Sequence, residues 1–329
     1  MSDRDAVVEA LRGSERFVLC THERPDGDAL GSLAGMQHAL AAIGKDAVSF
    51  MAPEEFPLPY EYRFLQLDRL VTELPDDLAA RTVVYLDCGN VERNPALREG
   101  GAQIVNIDHH HDNTRFGAVN YVVPTASSTA EIVWTLLEPL GAPLTLDTAE
   151  ALYVGLVTDT GQFMYENTGP AAHRMAAALH EAGVDAQAVY RSLYENVPVP
   201  KMALLARALE RVQRFDGGAL TLAYVSREDF AITGSEESYT EGIVDHLRAL
   251  EDTVVAGLVR DQMAPGREGS RKVSLRAVDD RVDVSKIARE FGGGGHRRAA
   301  GFTTALAADE VIGLVRREVA AQLGAGVSA

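Results

Sequence analysis

Short apolar runs alternate with stretches of helical periodicity along the first half of the chain. Runs rich in β-branched and aromatic residues predict buried strands at 16–21, 46–52, 82–89 and 102–109. Apolar residues at helical spacing predict helices at 1–12, 29–44, 128–138 and 148–158. This alternation predicts an α/β fold, in which a mainly parallel sheet is flanked by helices on both faces.

The pattern changes in the second half of the chain. Residues 170–213 are mostly helical, with Pro198 and Pro200 interrupting. Strands are then predicted at 219–226, 253–262 and 271–278, with an exposed hairpin loop at 265–270 and an amphipathic helix at the C-terminus. A smaller α+β domain therefore follows the first one. The predicted boundaries are 1–190 for the first domain, 191–214 for a helical linker and 215–329 for the second domain.

Composition narrows the class of protein. The chain is 46 % hydrophobic and 24 % charged, as in ordinary soluble domains, and no apolar run is long enough for a membrane span. The N-terminus lacks the apolar core of a secretory signal. Cys20 and Cys88 both lie in strand-like runs, which favours buried thiols in a reducing compartment and hence the cytoplasm. Cys88 directly follows Asp87, so a reactive thiol is the alternative there.

The net charge of −17 argues against a protein that grips long DNA or RNA, because such proteins neutralise phosphates with a basic surface. Charge alone leaves two interpretations open. Either the protein does not bind nucleic acid, or its substrate is small and is held in a local pocket.

Polar clusters follow three of the predicted strands. These clusters are HERPDGD at 22–28, DCGN at 87–90 and DHHHDN at 108–113. In open α/β sheets, ligands bind at the carboxyl ends of the strands, so we expect the three clusters to converge on one site.

The clusters and the end of one predicted helix supply six candidate metal ligands: His22, Asp26, Asp28, Asp87, His109 and Asp159. Imidazole and carboxylate together suit Mn, Fe or Zn. Taken singly, Asp28 and Asp159 also fit helix-terminal roles, and Asp87 fits a turn. Taken together, the six suit two ions about 3.5–4 Å apart, which can activate water for phosphoryl displacement. Asp87 is the predicted bridge and a catalytic residue.

A glycine run precedes a basic pair in FGGGGHRRAAG, at 291–301. Gly293, Gly294 and Gly295 have no side chains to cover their backbone N–H groups, and such loops bind phosphates. His296 can add a hydrogen bond to the anion. A flexible loop with a solvated basic pair is the alternative.

The segments THERPDGDALGS, LDCG, DHH and TDTG occur in the order of the four motifs of the DHH phosphoesterase superfamily, and GGGGHRRAAG resembles the signature of the DHHA1 domain. The resemblance covers nearly the whole chain. With the SSTAEI segment at 127–132, the chain is most similar to the bacterial group of nanoRNases and phosphatases of 3′-phosphoadenosine 5′-phosphate (pAp). No motif residue is missing, which indicates an active enzyme.

The resemblance implies two manganese ions, with Mg²⁺ or Co²⁺ as substitutes. One ion would be bound by His22, Asp26 and Asp87, and the other by Asp28, Asp87, His109 and Asp159. His110 would act at the scissile phosphate as a catalytic residue, while Asp108 would orient a histidine through a hydrogen bond. Arg276, the three glycines and His296 would hold the far end of the substrate, across a cleft between the domains.

The expected reaction is hydrolysis of RNA oligomers of about two to five nucleotides to mononucleotides, with removal of the 3′-phosphate of pAp. A phosphodiesterase for linear or cyclic dinucleotides (pApA, pGpG or cyclic di-AMP) is the alternative with the same chemistry. A nucleotide-binding regulator without turnover is the alternative from another class. The expected partners are short RNA or DNA oligonucleotides or pAp, with no long nucleic acid and no membrane, and a homodimer is the default assembly.

Overall fold

A six-stranded parallel sheet forms the N-terminal half of the protein. The computed structural model describes residues 2–67, 69–98 and 101–325, except for the side chains of His296 and Ala325. The chain divides into two units, Met1–Asn196 and Val197–Ala329. Among the described helices, none combines the length and the hydrophobicity that crossing a bilayer requires.

The strands of the first unit are β1 (Arg16–Cys20), β2 (Asp46–Phe50), β3 (Leu70–Val71), β4 (Thr82–Leu86), β5 (Gln103–Asp108) and β6 (Val119–Val122). Its helices are α1 (Asp3–Gly13), α2 (Gly27–Ala42), α3 (Thr129–Leu140), α4 (Leu146–Asp159), α5 (Pro170–Glu181) and α6 (Ala186–Tyr190), and a π-helical turn follows at Arg191–Glu195. The strand order is β3-β2-β1-β4-β5-β6. The predicted α/β fold with a parallel sheet is therefore confirmed.

The two faces of this sheet are covered differently. Phe17, Val84 and the other inward residues of one face pack against the α-helices in the largest core of the unit. On the opposite face, Tyr85 packs with Leu97 and Phe116, which come from a 3₁₀ turn and a loop. In the described residues, α-helices thus cover one face, whereas short 3₁₀ helices and loops cover the other. The connections 51–81 and 87–102 are interrupted by prolines at 53, 57, 59, 75 and 95, which disfavour a long helix there.

Helices α2 and α4 approach each other closely because glycine lies where they meet. A Cβ atom on Gly31 would lie 2.5 Å from the Ala151 carbonyl oxygen and 2.6 Å from the Gly155 nitrogen. A Cβ atom on Gly27 would overlap the side chain of Thr158. This close packing brings the first turn of α2 next to the last turn of α4.

The second unit contains a mixed sheet. Its strands are β7 (Gln213–Phe215), β8 (Leu220–Val225), β9 (Val255–Asp261), β10 (Arg271–Ala277), β11 (Gly294–His296) and β12 (Ala299–Thr304). Its helices are α7 (Val199–Glu210), α8 (Arg227–Thr233), α9 (Ile243–Arg248), α10 (Val284–Glu290) and α11 (Ala308–Ala325). The order is β11-β12-β10-β9-β8-β7; β8 and β9 pair in parallel, and the other neighbours pair antiparallel.

Helix α7 is held to this second unit by a buried carboxylate. Asp229, which is 1 % exposed, accepts hydrogen bonds from Arg207 Nε and Arg211 Nη1, each at 2.5 Å. Strand β7 belongs to the second sheet as well. Residues 197–214 therefore pack in the second unit, whereas the sequence analysis assigned 191–214 to a linker.

Candidate metal centre

Side chains from three strand ends and two helices meet at the carboxyl edge of the parallel sheet. Asp87 directly follows β4, His109 directly follows β5, and His22 lies two residues after β1. Asp159 is the last residue of α4. The remaining two candidates come from the start of α2, where Asp26 caps the helix and Asp28 lies in the first turn. The structure thus brings all six candidate ligands into one cluster.

Asp87 lies between two histidines. Its side chain is 2 % exposed, and its φ of +57° is a left-handed conformation that non-glycine residues rarely adopt outside functional or strained sites. Asp87 Oδ2 is 3.5 Å from His22 Nε2, and Asp87 Oδ1 is 3.6 Å from His109 Nε2. Each carboxylate oxygen faces a different imidazole, which is the arrangement expected of a carboxylate that bridges two ions.

Hydrogen bonds at the other ring nitrogen orient both imidazoles. His22 Nδ1 is 2.8 Å from the Glu23 carbonyl oxygen, and His109 Nδ1 is 3.4 Å from the Ala126 carbonyl oxygen. A carbonyl oxygen can only accept, so each Nδ1 carries a proton, and Nε2 is the ring nitrogen left to bind a metal ion.

His109 Nε2 points into a group of carboxylates. Besides Asp87, this atom lies 3.7 Å from Asp159 Oδ2 and 3.9 Å from Asp28 Oδ2. A cation between this nitrogen and the carboxylate oxygens would be bound by all of them. The nitrogen and oxygen donors therefore fit divalent first-row metal ions.

The candidate ligands form two groups of three whose ligand atoms lie within 4.8 Å of one another. One group is His22, Asp26 and Asp87, and the other is Asp28, His109 and Asp159. A third group of the same kind joins Asp87 and His109 to His110. The first group has the same residues as one ligand set that the family resemblance implies. The second group has three of the four residues of the other set, and the fourth, Asp87, lies next to His109 of that group.

Burial and crowding spread the pKa values of the carboxyl groups apart. Burial raises the pKa of Asp28 well above its usual range, and the charges of Asp87 and Asp159 add to that rise. Burial likewise raises the pKa of Asp159 to about 7. Burial also acts to raise the pKa of Asp87, but the contact with His22 at 3.5 Å and the charge of His110 outweigh burial and hold that pKa well below its usual range. Ionisation of all three neighbouring carboxylates is energetically unfavourable unless a cation neutralises them.

His110 is oriented by a buried carboxylate. His110 Nδ1 is 2.8 Å from Asp108 Oδ1 and 3.5 Å from Asp87 Oδ1. Asp108 is fully buried, and its Oδ2 accepts a hydrogen bond from Asn113 Nδ2 at 2.5 Å. Burial lowers the pKa of His110, but the Asp108 hydrogen bond and the charge of Asp87 outweigh burial and raise that pKa to about 9. In the metal-free protein the imidazole thus keeps both protons at neutral pH.

Comparison with known proteins identifies the family. Residues 16–156 match the DHH family, N-terminal domain, and residues 232–322 match the DHHA1 domain. The chain is 34 % identical over 299 residues to the bifunctional oligoribonuclease and PAP phosphatase NrnA of Thermus thermophilus, and the match covers 90 % of this chain and 87 % of the relative. The chain belongs to the DHH family. The predicted DHH/DHHA1 membership and the predicted class, a hydrolytic phosphoesterase, are confirmed.

Two further matches agree with this membership. The NrnA of Bacillus subtilis is 26 % identical over 303 residues, with 90 % of this chain and 91 % of the relative covered. A crystal structure of an exopolyphosphatase-related protein from Bacteroides fragilis superimposes with a TM-score of 0.88 at 22 % identity, covering 98 % of this chain and 96 % of that one. The structural match supports the fold alone. Metal dependence of the DHH family agrees with the donor set described above.

The DHHA1 domain places its predicted substrate residues on neighbouring strands. Arg276 on β10 is half-buried and pairs in register with Ala299, which in turn pairs with His296 on the edge strand β11. The side chain of His296 lies outside the described part of the structure.

The glycine run is partly a paired strand, and not the flexible loop that was the alternative interpretation of the sequence. The Gly293 N–H donates to the Ala288 carbonyl oxygen at 2.9 Å, so in this conformation it is not available to a phosphate. Gly294 and Gly295 lie in β11, whose outer edge has no neighbouring strand in the sheet order. Binding of an anion by the backbone of Gly294 and Gly295 stays a prediction.

Sequence reasoning missed Thr129, the first residue of α3. The Thr129 N–H donates to Asp28 Oδ2 at 2.6 Å, and its hydroxyl donates to Asp87 Oδ1 at 3.0 Å. The available signal was its position in SSTAEI, a serine- and threonine-rich start of a predicted helix. That signal predicts a helix cap but not a contact with residues far away in the sequence.

Proposed function

We propose that this protein uses two divalent ions, preferentially Mn²⁺, to hydrolyse short oligoribonucleotides to mononucleotides and to remove the 3′-phosphate of pAp. The observation that carries the proposal is Asp87, whose two oxygens face His22 at 3.5 Å and His109 at 3.6 Å. The substrate class is supported by relatives that are named bifunctional oligoribonuclease and PAP phosphatase. Mg²⁺ and Co²⁺ are proposed as substitutes for Mn²⁺ because both accept oxygen and imidazole ligands.

The proposed roles follow the two groups of ligands. His22, Asp26 and Asp87 would hold one ion, and Asp28, Asp87, His109 and Asp159 would hold the other. A bound pair of such ions supplies an activated water and neutralises charge on the phosphoryl oxygens.

His110 contributes hydrogen bonding to the phosphate in this proposal. Asp108 accepts a hydrogen bond from His110 Nδ1, which fixes the ring, and the imidazole would donate to a phosphoryl oxygen. This donor offsets negative charge that develops on the phosphate during hydrolysis.

The DHHA1 domain would bind the other end of the substrate through Arg276, Gly294, Gly295 and His296. Binding of the substrate at both ends would favour substrates of a few nucleotides. The net charge of −17 disfavours long polyanions away from the metal centre. A cytoplasmic location belongs to the same proposal, supported by the two buried free thiols. A homodimer is the proposed assembly on general grounds alone.

A side-by-side turnover assay tests the function. Purified protein with Mn²⁺ is incubated separately with pAp, a 5′-phosphorylated RNA dinucleotide, cyclic di-AMP and an RNA of about 24 nucleotides. We expect rapid release of phosphate from pAp and of mononucleotide from the dinucleotide, with at least about a hundredfold loss in Asp87→Asn, because that residue is a proposed ligand of both ions. Asp147→Asn, an exposed carboxylate in the first turn of α4, is the matched control and should retain activity.

Other outcomes point to other functions. Preference for the long RNA would refute the limit on substrate length. Preference for cyclic di-AMP would favour the dinucleotide phosphodiesterase. Tight nucleotide binding without turnover of any substrate would favour the non-catalytic regulator.

A further inference from the structure

The start of helix α3 contacts three ligands of one proposed metal ion, and of these only the shared Asp87 is also a ligand of the other ion. We call residues 126–130 the α3 N-terminal segment. The Ala126 carbonyl oxygen is 3.4 Å from His109 Nδ1, and the Thr129 and Ala130 N–H groups donate to Asp28 at 2.6 Å and 2.9 Å. The Thr129 hydroxyl donates to Asp87 at 3.0 Å.

The segment reaches the fourth ligand through one asparagine. Asn167 Nδ2 lies 2.8 Å from the Ser127 carbonyl oxygen, 3.0 Å from the Asp159 carbonyl oxygen and 3.4 Å from Asp159 Oδ2. The four residues positioned in this way are Asp28, Asp87, His109 and Asp159, which are the ligands proposed for the second ion. The hydrogen bonds described for His22 and Asp26 go elsewhere, to the Glu23 carbonyl oxygen and the Ala29 N–H.

We propose that Thr129 is the positioning residue of the second metal site, because it binds two of that site's carboxylates at once. This inference rests on the proposed function. Thr129 is fully buried, and its backbone N–H and side-chain hydroxyl set the separation between Asp28 and Asp87. A carboxylate oxygen has a second lone pair, so each can accept this hydrogen bond and still bind a metal ion.

The geometry predicts a selective effect. The Thr129 hydroxyl contacts Asp87 Oδ1, the oxygen on the His109 side, whereas Asp87 Oδ2 faces His22. Replacing the hydroxyl by a methyl group leaves Asp87 Oδ1 facing an apolar atom, so the oxygen on the second site's side loses the hydrogen bond that orients it. Removal of a partner that orients a ligand weakens metal affinity by about 10- to 100-fold. The first site keeps His22, Asp26 and Asp87 Oδ2.

Metal titration tests the selectivity directly. Mn²⁺ binding to the full chain is measured by calorimetry and by the electron paramagnetic resonance signal of free Mn²⁺. For the unaltered protein we expect two ions per chain. For Thr129→Val we expect one ion with unchanged affinity and a second that binds about 10- to 100-fold more weakly. Thr129→Ser retains the hydroxyl and should restore the second ion.

Thr135→Val is the matched control. Thr135 lies on the same helix, and its hydroxyl donates to the Ile132 carbonyl oxygen, away from the ligands. This variant should bind both ions normally. Thr129→Ala removes the same hydroxyl without placing a methyl group against the carboxylate, and it tests the inference if the valine variant does not fold.

Two results would overturn the inference. In one, Thr129→Val and Thr129→Ala bind both ions as the unaltered protein does. In the other, both ions are weakened equally, which indicates a general loss of structure. If the unaltered chain binds no Mn²⁺, the proposed function fails; if it binds two ions and Thr129 does not discriminate between them, only the inference fails.

Discussion

Substitution of Gly31 by alanine tests whether the close approach of α2 and α4 holds the metal centre together. The new Cβ atom would lie 2.5 Å from the Ala151 carbonyl oxygen and 2.6 Å from the Gly155 nitrogen, whereas ordinary contact begins at 3.4 Å. Helix α4 would therefore have to retreat by roughly 0.9 Å. Asp28 on α2 and Asp159 on α4 would move apart with their helices.

The expected cost is the balance of two effects. Alanine stabilises a helix interior by about 1 kcal/mol relative to glycine. Overpacking of a close-packed interior costs about 1–3 kcal/mol, and the upper end applies because the contacted atoms belong to the backbone of α4. We expect a net destabilisation of about 2 kcal/mol, which lowers the Tm by roughly 4–8 °C in a unit of about this size.

The single tryptophan makes the first unit easy to follow. Trp134 on α3 is the chain's only tryptophan and packs against the core of that unit, so its fluorescence reports the unfolding of that unit in urea or on heating. Gly13→Ala is the matched control, since a Cβ atom there meets nothing within 4 Å. The control should be unchanged or stabilised by up to about 1 kcal/mol. The reasoning is refuted if Gly31→Ala is as stable as Gly13→Ala and binds Mn²⁺ equally well.

The remaining predictions concern His110, Asp229 and the cysteines. The raised His110 pKa of about 9, against an ordinary 6.5, stabilises the metal-free fold fully below pH 6.5, and this stabilisation is lost as the pH rises through 9. Urea unfolding followed through Trp134 should show that the free energy of unfolding falls by up to about 3 kcal/mol over that pH range. Asp108→Asn should not show this fall. If the free energy of unfolding depends on pH equally in both proteins, Asp108 is not the cause of the raised His110 pKa. Asp229→Ala should destabilise the second unit by about 2–3 kcal/mol and speed hydrogen exchange in α7 and α8. The unfolding transition reported by Trp134 should not move. Unchanged hydrogen exchange would show that the ion pairs of Asp229 with Arg207 and Arg211 contribute little. Burial raises the pKa of Cys88 to about 12 and that of Cys20 well above its usual range. Both thiols should therefore react with a disulfide reagent only after the protein unfolds. Fast reaction of the folded protein would reveal an accessible thiolate and contradict this prediction.

Local patterns of apolar and polar residues were enough to predict much of the fold. The apolar runs at 16–21, 82–89 and 102–109 predicted β1, β4 and β5, because a strand of a parallel sheet is buried on both faces and is apolar throughout. The same reasoning placed the candidate ligands together, since the carboxyl ends of parallel strands share one edge of the sheet. Five strands were not predicted: β3, β6, β7, β11 and β12. Of these, β3, β7 and β11 have only two or three residues, which carry no periodicity.

Other features depended on packing between distant segments. Which face of the sheet each helix covers is set by the connections, and proline-rich connections left one face to turns and loops. The glycine run at the end of α10 is paired with β12 and with the Ala288 carbonyl oxygen, so its backbone is less available than its composition suggested.

By itself, the sequence determined the fold class, the family and the residue types that gather at the candidate centre, because these depend on local periodicity and on motifs of contiguous residues. Only the tertiary structure decided how those residues are held. Thr129 bonds Asp28 across 101 positions of sequence, and Gly31 acts through the helix against which it packs. Such contacts are set by the three-dimensional packing of helices and strands, which no local pattern in the chain records.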